Sequence, residues 1–270
     1  MHDETTPPRT DEPDIYALED AIEPPDLPGE VVVRKILDDL YHEMAAELVV
    51  HAKNCVRMFG DFHIALSGGS TPIPFYRTIM TDPAFRDLPW KFTHLWIVDE
   101  RRVPFDDEKS NWGQLRQYFA EHADIPADNL HPMRGDHPEA DVAYERELRE
   151  HLAWREKGQD RLDFVLLGMG DDAHTASLFP NSPALRERER LIVMNDGEQV
   201  VPPPRITMTY PLINASRYIA VLVTGAKKSA TLRTLAAEEK PPVQEAPIMG
   251  IEPVGGVMKW FLDGEACGGA

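Results

Sequence analysis

Residues 164–180 of the chain read FVLLGMGDDAHTASLFP, and the rest of the sequence is interpreted from this stretch. The apolar run Phe164 to Leu167 is short and ends at a glycine, which is typical of a buried β-strand. Gly168 and Gly170 then loosen the chain, two carboxylates follow, and a short helix is predicted to begin at His174. Histidine is the side chain best suited to move protons near neutral pH. Because open α/β sheets build their sites where strands end, the stretch predicts a proton-transfer site.

Composition and charge exclude several classes of protein. The 270 residues are 42% hydrophobic and 27% charged, as in ordinary soluble globular proteins. The net charge of −18 makes nucleic acid and anionic membranes poor partners, although a few basic residues in one cleft can still bind a phosphorylated substrate. The two cysteines, Cys55 and Cys267, do not suggest a disulfide framework or a metal site. Since no basic leader and no apolar run of about 20 residues is present, we expect a cytoplasmic protein.

Residues 1–28 are predicted to form a flexible, acidic, proline-rich extension. Among the first thirty residues ten are acidic and one is basic, which gives −9, half of the net charge. Such a segment has too little apolar surface to offset the entropy of ordering it. The alternative is a short docking piece formed by Ile15, Tyr16 and Leu18. Residues 29–265 contain no internal repeat and no long linker, and we expect them to form a single domain.

Strand–loop–helix units repeat through this domain. Apolar residues recur at three- and four-residue steps between Glu30 and Phe59, which predicts one long helix there. A helix is also predicted from Pro72, and others over Asn111–Phe119, Glu139–Trp154 and a segment ending at Leu235. Strands are predicted over Phe62–Leu66, Phe92–Val98, Phe164–Leu167, Arg190–Met194, Ile206–Thr209 and Tyr218–Val223, and Gly256–Leu262 is either a strand or a helix. This alternation predicts an α/β fold with a mainly parallel sheet and helices on both faces.

Four of the predicted strands end in polar segments. These segments are Ser67–Thr71, Asp99–Arg102, Gly168–His174 and Gly225–Lys228. The carboxyl ends of parallel strands meet at one edge of a sheet, where ligands bind. We therefore expect the four segments to lie along the same edge.

The first polar segment has the composition of a phosphate-binding loop. It consists of Ser67, Gly68, Gly69, Ser70 and Thr71. The glycines allow backbone N–H groups to approach a ligand closely, the hydroxyls can donate, and the following helix adds a favourable dipole. The alternative is a glycine-rich turn with a Ser/Thr helix cap. The segment matches neither a Walker loop nor a dinucleotide-binding fingerprint.

Three basic residues are candidate phosphate ligands. Lys227 and Lys228 lie at a strand-to-helix turn, where the helix dipole disfavours cations unless an anion is bound. Two solvated lysines are the alternative. Arg205 precedes a predicted strand and is a further candidate, although a lone arginine is more often a surface residue.

The remaining features favour acid–base chemistry. Asp172 is close enough in sequence to orient the His174 imidazole. Four charges in a row, as in Asp99–Arg102, usually form a solvated turn, but at the carboxyl end of a strand they are better candidates for a site. No second histidine or cysteine is spaced to bind a metal with His174. No serine stands in a G-x-S-x-G elbow, which argues against a serine hydrolase. The residues thus predict metal-free general acid–base catalysis on a phosphorylated molecule.

The chain resembles 6-phosphogluconolactonases, within a family that includes glucosamine-6-phosphate isomerase/deaminase. The matching segments run in family order over about residues 30–265: SGGSTP at 67–72, DERRVP at 99–104 with SN at 110–111, GMGDDAHTASLFP at 168–180, RIT at 205–207, GAKK at 225–228 and WFLD at 260–263. The resemblance implies a modified Rossmann-like α/β fold and hydrolysis of 6-phospho-D-glucono-1,5-lactone to 6-phosphogluconate. It implies no metal and no organic cofactor.

Two features resemble the lactonases rather than the deaminases. Deaminases have a sequence similar to G-H-I-A-F-N-E-P around the histidine, and the glutamate of this motif assists opening of the sugar ring. Residues 174–180 of this chain, HTASLFP, contain no glutamate. Deaminases also have D-E-Y where this chain has Asp99-Glu100-Arg101. A non-catalytic sugar-phosphate sensor is the other alternative, but such domains usually accompany a DNA-binding helix-turn-helix, which the acidic N-terminal segment cannot supply.

The resemblance also implies a catalytic role for individual residues. His174 would take a proton from the water that attacks C1 and return it to the leaving ring oxygen, while Arg101 stabilises the oxyanion. Either Asp172 or Asp99 would orient or charge-balance the imidazole.

The substrate phosphate would be bound by residues 67–71, Arg205 and Lys228, since the family pattern G-x-x-K selects the second lysine. Ala173 departs from the family, which usually has glycine before the histidine. An alanine there costs about 1 kcal/mol or more if φ must be positive, and nothing if only a small side chain is required. We expect the small-molecule lactone as the partner, and a monomer or weak homo-oligomer.

Overall fold

A parallel sheet forms the centre of the molecule. The structure is a computed structural model that describes residues 22–198, 200–201 and 204–268. Six strands pair in parallel, in the spatial order β1-β9-β8-β5-β2-β3. They are β1 (Glu30–Arg34), β2 (Phe62–Leu66), β3 (Thr93–Ile97), β5 (Phe164–Leu167), β8 (Tyr218–Val223) and β9 (Val257–Asp263). The predicted α/β fold with a mainly parallel sheet is confirmed.

A smaller antiparallel sheet lies beside the carboxyl end of β3. It has the order β4-β7-β6, with β4 (Asp99–Arg101), β6 (Ile192–Asn195) and β7 (Arg205–Met208). The charged segment predicted as a strand end is therefore itself a strand. In the pairing of β4 with β7, Asp99 is opposite Thr207 and Arg101 is opposite Arg205. This register brings two predicted site residues, 104 positions apart in the sequence, next to each other.

Helices connect the strands. They are α1 (Leu37–Phe59), α2 (Ile73–Thr81), α3 (Asn111–Leu115), α4 (Ala140–Leu152), α5 (Tyr210–Ala215) and α6 (Ser229–Leu235); a π-helical turn, Arg116–Ala120, extends α3, and a 3₁₀ turn, Ala226–Lys228, precedes α6. The described residues contain no helix that is long and apolar enough to cross a membrane.

The prediction of one helix over Glu30–Phe59 is wrong for its first residues. Glu30–Arg34 forms β1 and pairs in parallel with β9, with Val32 opposite Phe261. Three consecutive valines favour a strand, because β-branched side chains fit a pleated surface. The helix begins only at Leu37 and ends as predicted at Phe59; the next residue, Gly60, has a left-handed φ of 92°.

The last residues of the predicted extension contact the domain. Leu27 is 7% exposed and belongs to the hydrophobic core. The Trp260 indole donates to the Pro28 carbonyl at 2.8 Å, and Lys240 Nζ lies 2.9 Å from the Asp26 carboxylate. Residues 1–21, including the alternative docking piece, lie outside the described residues.

Candidate active site

Nine predicted site residues line one cavity of about 250 Å³. The cavity lies where β2, β3 and β5 end. Because β8 pairs in parallel with β5, all four polar segments lie along the same edge of the sheet, and three of them line the cavity. The nine residues are Ser67, Gly68, Gly69, Ser70, Thr71, Asp99, Arg101, His174 and Arg205. Asp172 lies directly behind the lining, and Lys228 lies outside it.

His174 is held by a carboxylate. Its Nδ1 lies 2.5 Å from Asp172 Oδ1, and its backbone N–H donates to the same oxygen at 3.2 Å. Partial burial raises the pKa of Asp172, but the hydrogen bonds from His174 outweigh burial and hold that pKa below its usual value. The ionised carboxylate can only accept, so Nδ1 carries the proton and Nε2 is the basic nitrogen. The structure thus pairs Asp172, rather than Asp99, with the imidazole.

Ala173 has a φ of 59°, so the alanine of this chain occupies the left-handed region. The sequence left open whether this position needs a positive φ or only a small side chain. The structure shows a positive φ, which costs an alanine about 1–2 kcal/mol. The conformation closes the loop: Gly170 N–H donates to the His174 carbonyl at 2.8 Å, and Ile248 N–H donates to the Ala173 carbonyl at 3.0 Å. These bonds fix the histidine at the edge of the cavity.

The glycine–serine loop offers a smaller set of donors than its composition suggests. The Ser67 hydroxyl donates to the Leu166 carbonyl at 2.8 Å, and Gly69 N–H donates to Gln114 Oε1 at 2.9 Å. Within the described ranges nothing accepts a hydrogen bond from the hydroxyls of Ser70 and Thr71, and both residues line the cavity. These two hydroxyls are therefore the side-chain donors available to a phosphate.

Asp99 organises one wall of the cavity. Its Oδ2 accepts from the Ser177 hydroxyl at 2.5 Å, and its backbone carbonyl accepts from Asn111 Nδ2 at 2.8 Å. Ser177 and Asn111 line the cavity and were not predicted as site residues. The SN pair in the family match was the available signal for Asn111. A Cβ at Gly68 would lie 2.1 Å from Asn111 Oδ1, so only glycine allows this close approach.

Glu100 anchors the segment that carries Asn111. Its fully buried carboxylate accepts from three backbone N–H groups and one hydroxyl, namely Arg101 N at 2.7 Å, Asn111 N at 2.8 Å, Trp112 N at 2.8 Å and Ser110 Oγ at 3.0 Å. Burial raises the pKa of Glu100 to about 7, while these donors act in the opposite direction. A negative charge here also complements the first turn of α3.

Replacing Glu100 with glutamine is expected to destabilise the protein by about 1–3 kcal/mol, because the new amide places N–H groups against existing donors and leaves buried polar atoms unsatisfied. The free energy of unfolding, measured in urea at pH 8 where Glu100 is ionised, checks this. Glu108→Gln, on an exposed neighbour, serves as the control. A loss below about 0.5 kcal/mol, as at ordinary surface sites, would contradict the anchoring role.

Two arginines supply positive charge to the cavity. Arg205 is 7% exposed, and its guanidinium carbon lies 5.8 Å from the centre of the Phe179 ring. Burial, followed by the charge of Arg101, lowers the pKa of Arg205. Arg101 Nη1 donates to the Lys109 carbonyl at 2.7 Å, which fixes the guanidinium at the cavity wall. The cavity can therefore bind a substrate with more than one anionic centre.

Lys228 is bound elsewhere in this structure. Its Nζ lies 2.5 Å from Asp171 Oδ1, and the Thr231 hydroxyl donates to the Asp171 carbonyl at 2.7 Å. These contacts join the 3₁₀ turn before α6 to the histidine loop. The role of Lys228 in phosphate binding stays a prediction, because Lys228 does not line the cavity.

The fold and cavity define an α/β protein with an acid–base site at the carboxyl edge of a parallel sheet. Residues 36–260 match the family described as glucosamine-6-phosphate isomerases/6-phosphogluconolactonase, and the chain belongs to that family. The resemblance given above is confirmed.

Individual relatives agree with this assignment. The chain is 41% identical over 212 residues to a 6-phosphogluconolactonase of Synechocystis sp., covering 77% of this chain and 84% of that protein. It is 37% identical over 237 residues to the GDH/6PGL endoplasmic bifunctional protein of Homo sapiens; that match covers 85% of this chain but spans 29% of the relative's length. A solved 6-phosphogluconolactonase from Trypanosoma cruzi superposes with a TM-score of 0.74 at 26% identity, covering 91% of this chain and 98% of that one.

Proposed function

We propose that the protein hydrolyses 6-phospho-D-glucono-1,5-lactone to 6-phosphogluconate. The observation that carries the proposal is the His174–Asp172 pair at the edge of a cavity that also contains the glycine–serine loop. A base and a phosphate-binding loop in one cavity suit a substrate with a reactive centre and a remote phosphate. The named lactonase relatives support this choice of substrate.

The reaction then proceeds by general acid–base catalysis. His174 Nε2 takes a proton from water, and the water oxygen bonds to C1 of the lactone. The carbonyl oxygen becomes an oxyanion, which the guanidinium of Arg101 stabilises. When the tetrahedral intermediate collapses, the bond from C1 to the ring oxygen breaks and that oxygen receives the proton from His174. The products are a carboxylic acid, which ionises at neutral pH, and a free hydroxyl.

The phosphate binds at the glycine–serine loop of the cavity. The hydroxyls of Ser70 and Thr71 donate to it, the positive dipole end of α2 faces it, and Arg205 supplies positive charge. Holding a phosphate far from C1 converts binding energy into correct placement of the reacting carbon. The groups of three or more His, Cys, Asp and Glu residues that could hold a metal ion, among the described residues, all lie outside this cavity. We propose that the reaction needs no metal ion.

We also propose a cytoplasmic protein that is a monomer or weak homo-oligomer and binds neither nucleic acid nor membranes. Both cysteines are free thiols, which suits a reducing compartment. The net charge of −18 opposes binding to polyanions. Cell fractionation and sedimentation measure the compartment and the oligomeric state.

The decisive experiment is a lactone assay. Purified protein is added to freshly prepared lactone in weak buffer, and acid release is compared with the spontaneous rate. We expect one proton per turnover at a rate well above that background, and no ammonia from glucosamine 6-phosphate. Ammonia release would favour the isomerase/deaminase activity, and lactone binding without turnover would favour a sensor.

Asp172→Asn is expected to lower kcat by about 10–10³-fold, less than the loss of about 10⁴ known when the buried aspartate of a serine-protease triad is changed. The amide can donate to Nδ1, which moves the imidazole proton to Nε2 and removes the base. KM should change little, because Asp172 does not line the cavity. Asp128→Asn, at an exposed aspartate, is the control. A kcat within twofold of the wild-type value would exclude this orienting role.

A further inference from the structure

Three histidines on different elements meet near the amino-terminal end of β3. His94 is in β3, His131 follows the 3₁₀ turn Ala127–Asn129, and His151 is near the end of α4. One ring nitrogen of each lies within 4.8 Å of the other two. His94 precedes Asp99 by five residues, about 16 Å of extended strand. None of the three lines the active-site cavity, so this histidine cluster is a separate feature.

The central imidazole is already arranged as a metal ligand. His131 Nδ1 lies 2.6 Å from Glu147 Oε1, and His131 Nε2 lies 3.0 Å from His94 Nδ1. Because the carboxylate can only accept, Nδ1 of His131 carries a proton and Nε2 presents a lone pair. A histidine whose second nitrogen donates to a carboxylate is the usual arrangement of metal-binding histidines.

The two outer imidazoles complete the set. His151 Nδ1 donates to the Glu147 carbonyl at 2.9 Å, so its Nε2 also presents a lone pair. His94 shares one proton with His131 across the 3.0 Å contact. Two ligand nitrogens of a tetrahedral ion, each at 2.0–2.1 Å, stand about 3.3 Å apart, so an ion can replace this proton after a small movement. His94 and His151 are partly exposed, which leaves a route from solvent.

Packing holds these rings in place without an ion. The Trp96 ring stacks on His131 with centroids 3.7 Å apart, and His63 stacks on His94 at 4.3 Å. His63 itself is occupied, because Asp61 binds its Nε2 and the Trp96 indole donates to its Nδ1. The cluster is therefore rigid and pre-organised, which reduces the entropy cost of binding.

We propose that His94, His131 and His151 bind a divalent transition-metal ion of the zinc class, with water in the fourth position. Three neutral imidazoles and no carboxylate in the first shell select Zn²⁺ and similar ions over Mg²⁺ or Ca²⁺, which require oxygen ligands. The site lies outside the proposed catalytic machinery, so we expect it to stabilise the packing of α4 on the sheet rather than to act on substrate.

Calorimetric titration of chelator-treated protein, without a polyhistidine tag, with Zn²⁺ alone tests the proposal. We expect one ion per chain, with affinity at least about 100-fold weaker in His151→Ala and in His94→Ala. His174→Ala and His122→Ala should bind as the wild type does, which excludes the active site and an exposed surface histidine. Circular dichroism melting in chelator establishes that each variant is folded.

Glu147→Gln is a second test variant, which keeps all three histidine ligands and changes only the carboxylate behind His131. Loss of a carboxylate partner behind a ligand typically weakens metal binding about 10–100-fold, and we expect the same here. A Zn²⁺-induced rise in melting temperature should be present in the wild type and absent in His151→Ala. The proposal would be overturned if the wild type did not bind Zn²⁺. It would also be overturned if His94→Ala and His151→Ala bound Zn²⁺ as tightly as the wild type does.

Discussion

Replacing His174 with alanine lowers kcat/KM for the lactone by about 10²–10⁴-fold, the usual contribution of a positioned acid–base group. This corresponds to about 2.7–5.4 kcal/mol of lost transition-state stabilisation. KM changes little, because Ser70, Thr71 and Arg205 still bind the phosphate. The side chain of His174 is 31% exposed and contacts Phe179, so its removal leaves the fold intact.

Initial rates of acid release, corrected for spontaneous hydrolysis, measure this loss. His122→Ala is the matched control, since it removes an exposed histidine far from the cavity lining. The variant and the control should unfold at the same urea concentration as the wild type. A His174→Ala protein with wild-type kcat would show that another group is the base, and the proposed mechanism would then be wrong.

Much of this site was predictable because parallel sheets impose a common edge. Three polar segments that are distant in sequence follow three apolar runs, and the pairing of β2 with β3 and β5 places them together. The apolar runs themselves were readable, since a fully buried strand such as Phe164–Leu167 shows no polar alternation. The location of the cavity could therefore be predicted from local sequence patterns.

The parts that were not predictable depend on distant partners. The three valines of Glu30–Arg34 favour a strand locally, but its partner β9 lies more than two hundred residues later in the sequence. In the sequence, the charges of Asp99–Arg101 resemble a solvated turn. In the structure this segment is a strand, because β7 pairs with it, and four donors bind the buried carboxylate of Glu100. No local pattern reports such pairings. The sequence also does not show which candidate donors are already bonded within the protein. The Ser67 hydroxyl donates to the Leu166 carbonyl, and Lys228 binds Asp171.

Gly170→Ala is expected to lower kcat/KM by about 10²-fold or more while leaving the fold stable. A Cβ at this position would lie 2.0 Å from His174 Nδ1 and 2.6 Å from Asp172 Oδ1, far inside contact distance. Both obstructing groups are side chains, so they can move aside, and the imidazole leaves its position by about 1 Å. A misplacement of that size at a catalytic group can cost about 10²-fold in rate.

Gly168→Ala is the matched control for kcat, because its Cβ would meet nothing within 4 Å and its φ is not positive. Gly168 lines the cavity, so the comparison is made at saturating lactone rather than through KM. Its kcat should stay near the wild-type value, which separates the steric effect on His174 from loss of glycine flexibility in the same loop. In the double variant Gly170→Ala/His174→Ala, activity should equal that of His174→Ala alone, because both changes act through one imidazole. A further loss in the double variant would mean that Gly170 contributes independently of the histidine, for example through its backbone contact with substrate.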